Sequence, residues 1–339
     1  MFKAMRWCWL ALLASGPVMA QEAVSYHFGG AEVMQYKVAQ QDGPTVEYFL
    51  SKPKQRAPLV LLIEGSGCRT SFSGLDMPGK RVSYVFNYVP MAQEGKYAVM
   101  VANKPFSPAE PPGGQPGVAT ACPDAFNNYF TLEHWVRDLR LVLDHALRQP
   151  WVDPQHVLVM GVSEGATVAA ALAEADPRVR NVALLGGDGA TQYYDFVLAA
   201  YRNGHDDDEI KRQLDDLEAT RQRIFAKPDS AQDIAWAHPY KRWSSFFRAS
   251  PVRMLLHSSA RVYIVSGMQD VNAPILSAEV LGAELMAADH DVTMRRIPNG
   301  DHGLMTPGGG WEQRDAEYHR ILDWFKTGVS AGNQTQALP

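Results

Sequence analysis

An α/β fold with a mostly parallel central sheet and helices on both faces is predicted by two observations. From Pro58 onward, short apolar runs alternate with longer amphipathic or small-residue segments, which is the rhythm of βα units. Each run is four to eight residues long and rich in Val, Leu or Ile, as expected of strands buried on both faces. The runs are Leu59 to Ile63, Tyr97 to Ala102, His156 to Val162, Val179 to Leu185, Arg261 to Ser266 and Val292 to Ile297.

Residues 1–20 read as a signal peptide rather than as structure. Lys3 and Arg6 precede an apolar run from Trp7 to Ala14, and Val18-Met19-Ala20 suits a cleavage site. That run is shorter than the ~20 residues that cross a bilayer, so the expectation is an exported, periplasmic or secreted protein with no stable membrane anchor. Residues 21–57 are expected to form N-terminal strands, 58–190 and 257–328 the α/β core, and 329–339 a flexible tail that frays after Lys326.

Within the core, Leu132, Trp135, Val136, Leu139, Val142, Leu143 and Ala146 recur at helical spacing, with Glu133, Arg137, Asp138 and Arg140 assigned to the polar side. Pro105 to Pro123, rich in Pro and Gly, is long for a plain connection and follows a strand end, where such folds place ligands. Residues 191–256 break the βα rhythm. They hold a charged segment, His205 to Arg223, and an aromatic cluster of Trp236, Tyr240, Trp243, Phe246 and Phe247. Two readings stand: a helical cap or lid whose rings, Trp243, Phe246 and Phe247 among them, line a substrate pocket, or a decoration with its own small core.

The 339 residues are 46% hydrophobic and carry a formal charge of −5, which becomes −7 once Lys3 and Arg6 are removed. No run of like charge marks a nucleic-acid or other polyanion partner. Of three cysteines, Cys68 and Cys122 survive cleavage. In an oxidising compartment they read as a disulfide, against the alternative of two buried thiols.

The chemistry centres on Gly161-Val162-Ser163-Glu164-Gly165, a G-x-S-x-G pentapeptide preceded by a strand candidate and followed by the small-residue helix candidate Ala166 to Ala173. A sharp strand-to-helix turn exposes the serine hydroxyl, which needs a base and an orienting acid because alone it is a weak nucleophile. His302, in Asn299-Gly300-Asp301-His302-Gly303 after the last run, is the candidate base. Asp270, in Gly267-Met268-Gln269-Asp270 after the fifth run, is the candidate acid, with Asp188 of Gly186-Gly187-Asp188-Gly189 as the alternative. Asp301 reads as loop-shaping, and His257 and His290 as surface or packing residues. Two backbone donors must form an oxyanion hole. One is expected at Glu164 and the other in Glu64-Gly65-Ser66-Gly67-Cys68, at Ser66 with Gly65 or Gly67 as alternatives.

With these motifs in hand, Pro58 to Lys326 resembles the α/β-hydrolase superfamily. The likeness is to its dienelactone-hydrolase-like and prolyl-oligopeptidase-like branches, through the elbow Gly161 to Gly165, the acid motif Ser266 to Asp270 and the histidine loop Asn299 to Gly303. The sequence departs from them in Glu64, where many relatives carry histidine before the glycine, and in an acidic residue after the nucleophile. The expected activity is cleavage of a carboxylic ester or related acyl bond of a small molecule or peptide through an acyl-enzyme. Peptidase or amidase action, acyl transfer and a non-catalytic binding role are the alternatives. No His, Cys and carboxylate pattern has metal-ligand spacing, and the expectation is neither a metal nor an organic cofactor.

Overall fold

The structure, a computed structural model, describes residues 23–28, 30–70, 88–108 and 122–335. The expected signal segment and most of the Pro/Gly-rich loop lie outside the described residues. Strands β1 (Val24–Phe28), β2 (Ala31–Gln40) and β3 (Gly43–Ser51) form an antiparallel meander, and β3 joins the main sheet by pairing antiparallel with β5 (Ala98–Ala102). The six apolar runs become β4 (Ala57–Ile63), β5, β6 (Val152–Val162), β7 (Asn181–Leu185), β10 (Arg261–Gly267) and β11 (Val292–Ile297), all paired in parallel. Among the described residues the sheet has nine strands in the order β1-β2-β3-β5-β4-β6-β7-β10-β11.

The continuous apolar character of these strands has a direct structural cause. Side chains alternate between faces with period two, and on β4 Leu59, Leu61 and Ile63 enter one core while Val60 and Leu62 enter the other. On β6, Val157 and Val159 face the first core, and Leu158, Met160 and Val162 the second. The first core is covered by α3 (Leu132–Ala146), α4 (Glu164–Ala175), α8 (Pro251–Leu256) and α9 (Ile275–Ala287). The second is covered by α1 (Tyr88–Gln93) and α10 (Trp311–Thr335), through Tyr88, Met91, Tyr318, Ile321 and Phe325. Helix α10 continues to Thr335, past Lys326, where the sequence suggested fraying.

Helix α3 buries the predicted apolar face, and Thr131 caps it by accepting the His134 N–H at 3.2 Å. Asp138, assigned above to the polar side, is instead 1% exposed. Its carboxylate accepts from Gln40 of β2 at 2.8 Å and from Tyr129 at 2.9 Å, so one distant and one local donor replace its water. Helix α4 is buried over nearly all its length. Its alanines let it approach the sheet, α3 and α8 closely.

Residues 191–256 fold into α5 (Gln192–Asn203), α6 (Asp207–Ala226), the short hairpin β8 (Ile234–Ala235) and β9 (His238–Pro239), α7 (Tyr240–Phe246) and then α8. Ile224, Tyr240, Trp243 and Phe247 form a small core with Tyr193, Phe196 and Phe225. Helix α8 packs on α4 and α9 and is thus part of the main body, so the compact inserted part ends before it.

Cys68 and Cys122 are joined in a disulfide with Cα atoms 5.7 Å apart, closing a span of 54 residues. By chain entropy a loop of that length stabilises the fold by about 4 kcal/mol. The double variant C68A/C122A is expected to lower the urea midpoint and to steepen the slope, because the released unfolded chain exposes more surface; an unchanged midpoint would show that the bridge constrains the unfolded chain very little.

Candidate active site

The site begins with the turn between β6 and α4. Ser163 is held at φ 54° and ψ −126°, a conformation of high cost for a residue with a Cβ, on the order of 1–3 kcal/mol. The flanking glycines make it possible. A Cβ on Gly161 would fall 2.1 Å from the Gly165 carbonyl oxygen, and one on Gly165 would fall 2.4 Å from those of Ile63 and Glu64. Hydrogen bonds from Ser163 N to Leu185 O at 2.9 Å and from Ala166 N to Ser163 O at 2.9 Å fix the turn to β7 and to the first turn of α4.

The structure brings Ser163, His302 and Asp270 together in one chain of contacts. Ser163 Oγ lies 3.0 Å from His302 Nε2, and His302 Nδ1 lies 2.8 Å from Asp270 Oδ2. Asp270 follows β10, and its other oxygen accepts the backbone N–H groups of Asn272 at 2.8 Å and Ala273 at 2.9 Å, which locks the carboxylate in place. The His302 loop is closed by Asp301, whose carboxylate accepts Met305 N–H at 3.0 Å while its own N–H donates to Met305 O at 2.8 Å. Burial favours the neutral imidazole, but the hydrogen bond and charge of Asp270, with further help from Asp188 and Asp301, raise the His302 pKa above its ordinary value.

Asp188, the alternative acid, is otherwise engaged. It accepts from Thr167 Oγ1 at 3.0 Å and is hydrogen-bonded to Asp195 of α5. Burial first, and the charge of Asp188 second, raise the Asp195 carboxyl well above the usual carboxylate range. His257 is on the surface, 3.0 Å from Glu174.

A cavity of about 620 Å³ opens over Ser163 and His302. Ser66 and Glu164 line it beside the nucleophile, Asp188, Gln192 and Asp195 form one wall, and Phe196, Trp236 and Trp243 form the side toward the inserted segment. Of the three rings expected in a pocket, only Trp243 lines it. Phe246 is fully buried in the main core against Phe130, and Phe247 packs within the small core on Trp243 and Tyr193. The helical period explains this, because consecutive residues of α7 and its C-cap point in different directions.

Three polar residues around Glu164 were not singled out in the sequence: Arg242, Lys104 and His238. Glu164, 3% exposed, is ion-paired with Arg242 of α7, itself 4% exposed and stacked on Trp243 and Phe246 with its guanidinium carbon 4.0 Å and 4.5 Å from the ring centres. Burial works against the Glu164 carboxylate, but Arg242 and then Lys104 hold its pKa below the ordinary carboxylate value. Lys104, just past β5, is likewise buried. The third, His238, is driven down to about 4 by burial and by Arg242, so it is a neutral ring beside the pair. The signal for Lys104 was its place directly after a core strand; Arg242 had none, sitting unremarked inside the aromatic segment. Among the described residues, no three His, Cys, Asp or Glu side chains are placed to hold a metal ion.

Breaking a buried ion pair from one side leaves an unpaired charge and costs about 3–5 kcal/mol. Arg242→Met is expected to destabilise the protein on that scale, and the double variant R242M/E164Q to recover at least half of the loss in urea unfolding. Additive losses would mean that the two residues do not act as a pair. Ring-proton NMR of His302 should give a pKa above the ordinary 6.5, falling in Asp270→Asn, where the largest contribution opposing burial is removed and only Asp188 and Asp301 remain; an unmoved titration would contradict the assigned cause.

Comparisons with known proteins agree with this fold. Acetyl xylan esterase 1 from Thermoanaerobacterium sp. superposes with a TM-score of 0.58 at 17% identity, over 91% of this chain and 89% of that one. A Klebsiella pneumoniae protein described as a dienelactone hydrolase gives 0.52 at 14% identity, over 87% of this chain and 98% of that one. Acylaminoacyl peptidase from Pyrococcus horikoshii gives 0.59 at 13% identity, over 87% of this chain but 42% of that longer one. At such identities the likeness is one of fold. No curated protein matches the sequence. Residues 131–331 match the model of the prolyl oligopeptidase family, which is well over half of the chain, and the protein therefore belongs to that family of serine hydrolases with the α/β-hydrolase fold.

Proposed function

We propose that the protein is an exported serine hydrolase that cleaves a carboxylic ester or related acyl bond of a small substrate through an acyl-enzyme. The observation that carries this reading is the continuous chain Ser163 Oγ, His302 Nε2, His302 Nδ1, Asp270 Oδ2, with links of 3.0 Å and 2.8 Å. In this scheme Ser163 Oγ attacks the acyl carbon as its proton passes to His302, and the carbonyl electron pair moves onto oxygen. The N–H groups of Glu164 and Ser66 are the intended donors to that oxygen, the first also at the positive end of α4. The tetrahedral adduct expels the alkoxide, which takes the proton from His302. Water then repeats the sequence on the acyl-enzyme and regenerates Ser163. Asp270 holds the imidazole in the tautomer with its proton on Nδ1 and stabilises the imidazolium.

The aromatic side of the cavity, with Phe196, Trp236 and Trp243, favours an apolar or aromatic group of modest size. Family membership supports a second reading, in which the same triad cleaves an amide or peptide. A binding role without catalysis is disfavoured because nucleophile, base and acid are all present and in contact. Export rests on the pattern of Lys3, Arg6 and Trp7 to Ala20 in the sequence. The disulfide suits the oxidising compartment this implies.

A fluorophosphonate probe is expected to label the wild type at Ser163, and Ser163→Ala is expected to lose labelling together with about 10⁴-fold or more of the acyl turnover. A wild type that resists the probe while a control hydrolase reacts would remove the enzymic reading. Graded p-nitrophenyl esters run beside aminoacyl and peptidyl arylamides separate the two substrate classes, and higher kcat/KM on the arylamides would replace the ester reading by the peptidase one.

A further inference from the structure

Lys104 is 5% exposed, yet among the described residues no carboxylate lies at contact distance from its ammonium group. Its Nζ donates to the carbonyl oxygens of Gly65 at 2.6 Å and Gly67 at 2.7 Å, and it lies over the rings of Trp135 at 4.1 Å and Phe130 at 5.1 Å. Both carbonyls belong to the loop after β4, which passes directly beside the nucleophile. A Cβ on Gly65 would stand 3.3 Å from Ser163 Cβ and 3.7 Å from its Oγ.

The consequence follows from the planarity of the peptide bond. The carbonyl of Gly65 and the N–H of Ser66 are parts of one peptide unit, and in a trans unit they point in opposite directions. The described peptides include no cis bond. Holding the Gly65 oxygen on Lys104 therefore turns the Ser66 N–H to the other side of the loop, away from the ammonium. Ser66 lines the cavity with Ser163 and Glu164. The second bond, to Gly67, holds the far side of Ser66, and the bridge from Cys68 to Cys122 fixes the next residue. A flip of the peptide would take one carbonyl off the ammonium inside the protein, where an unmade charge-assisted bond is costly.

We infer that Lys104 is a positioning residue for acyl transfer, aiming the Ser66 amide at the oxygen that becomes negative during attack by Ser163. The inference rests on the serine-hydrolase scheme above and assigns a role to a residue outside the triad. Lys104 touches no reacting atom, but a cation on the carbonyl end of a peptide also polarises its N–H and strengthens the bond it donates. The same geometry explains why a fully buried lysine is tolerated: two carbonyls, two aromatic faces and the nearby carboxylates of Glu64 and Glu164 replace its water.

Burial pulls the Lys104 pKa down to about 8, with Glu164 and Glu64 opposing that fall and Arg242 adding to it. The ammonium is therefore present below that pH and lost above it, and the polarising charge goes with it. This adds an alkaline decline in kcat, separate from the acid limb governed by His302.

The test is the kinetics of the intact protein with Lys104→Met and Lys104→Gln. Lys104→Met is expected to lower kcat about tenfold or more, short of the ~10²–10³-fold loss when an oxyanion donor is removed outright, with KM changed less than about twofold and probe labelling slowed in parallel. Lys104→Gln keeps neutral donors and is expected to recover part of kcat while the decline near pH 8 disappears. The acid limb should be the same in all three proteins. Circular dichroism and thermal melting verify the fold, and where Lys104→Met does not fold, Lys104→Gln decides alone through its pH profile. A folded Lys104→Met with wild-type kcat, a loss confined to KM, or a Lys104→Gln profile with the alkaline decline intact would overturn the inference. Failure of the wild type to label is a different outcome, because it removes the acyl-enzyme scheme itself.

Discussion

The constraint on which the rest of the structure depends is the backbone of Ser163. Holding a residue with a Cβ at φ 54° is unfavourable, so the surrounding chain must leave it no relaxed alternative. It does so by crowding: α4 lies so close to β4 and β6 that Gly161 and Gly165 admit no side chain. The alanines of α4 are part of the same device, because a helix of larger residues would stand off and let the turn relax. Catalytic geometry here is thus a product of core packing. The hydroxyl is presented above the sheet because the helix behind it is pressed into the strands, and the same helix brings its N-terminus to the place where negative charge would form.

Close packing at the elbow creates a second problem, which the charges around it resolve. The residue after the nucleophile must fit beneath the inserted segment, and here it is Glu164, a carboxylate with almost no contact with water. Arg242 and Lys104 make that position tolerable from two directions, one from α7 and one from the end of β5. The aromatic residues Trp243, Phe246, Phe130 and Trp135 complete the enclosure by facing these cations. Charge and ring alternate through the wall behind the nucleophile, and no single member could be removed without exposing another to an apolar interior.

The parts of the molecule legible in the sequence were those governed by local periodicity or by fixed turn chemistry. All six runs became parallel strands; the inner ones are buried on both faces and so leave a continuous apolar signature, while the edge strand β11 carries Arg295 and Arg296. The elbow, Asp270 and His302 could be read because each sits on a turn directly after a strand, β6, β10 and β11 respectively, whose ends the parallel sheet brings to one edge. What could not be read depends on contacts between segments far apart in the chain. Asp138 was assigned to solvent because helical spacing alone cannot anticipate Gln40 of β2 reaching it. Phe246 and Phe247 were grouped with Trp243 by sequence proximity, whereas the turn of α7 sends Phe246 into the main core and leaves Trp243 at the cavity. Asp188 and Asp270 looked alike as carboxylates after strands. They differ because Asp195, arriving on α5, gives Asp188 a partner that no local motif announces.

The inserted segment is often imagined in such folds as a lid that moves as one piece, but the ion pair argues for a division within it. Arg242 belongs to α7, and its partner belongs to the first turn of α4, in the rigid centre of the domain. Swinging α7 outward would separate two buried charges, at a cost on the order of 3–5 kcal/mol, and would withdraw Phe246 from the main core as well. Ser245 adds a further tie, since its hydroxyl donates to Glu133 at 2.7 Å and accepts the Leu132 N–H at 2.8 Å. Helix α6 has few buried residues, Leu217 and Ile224 among them, and an exposed charged face held by local pairs such as Lys211 with Asp215. The opposite side of the cavity is carried by α5 and the β8–β9 hairpin, through Phe196 and Trp236. Helix α7 is the anchored side, and its anchor is the residue next to the nucleophile.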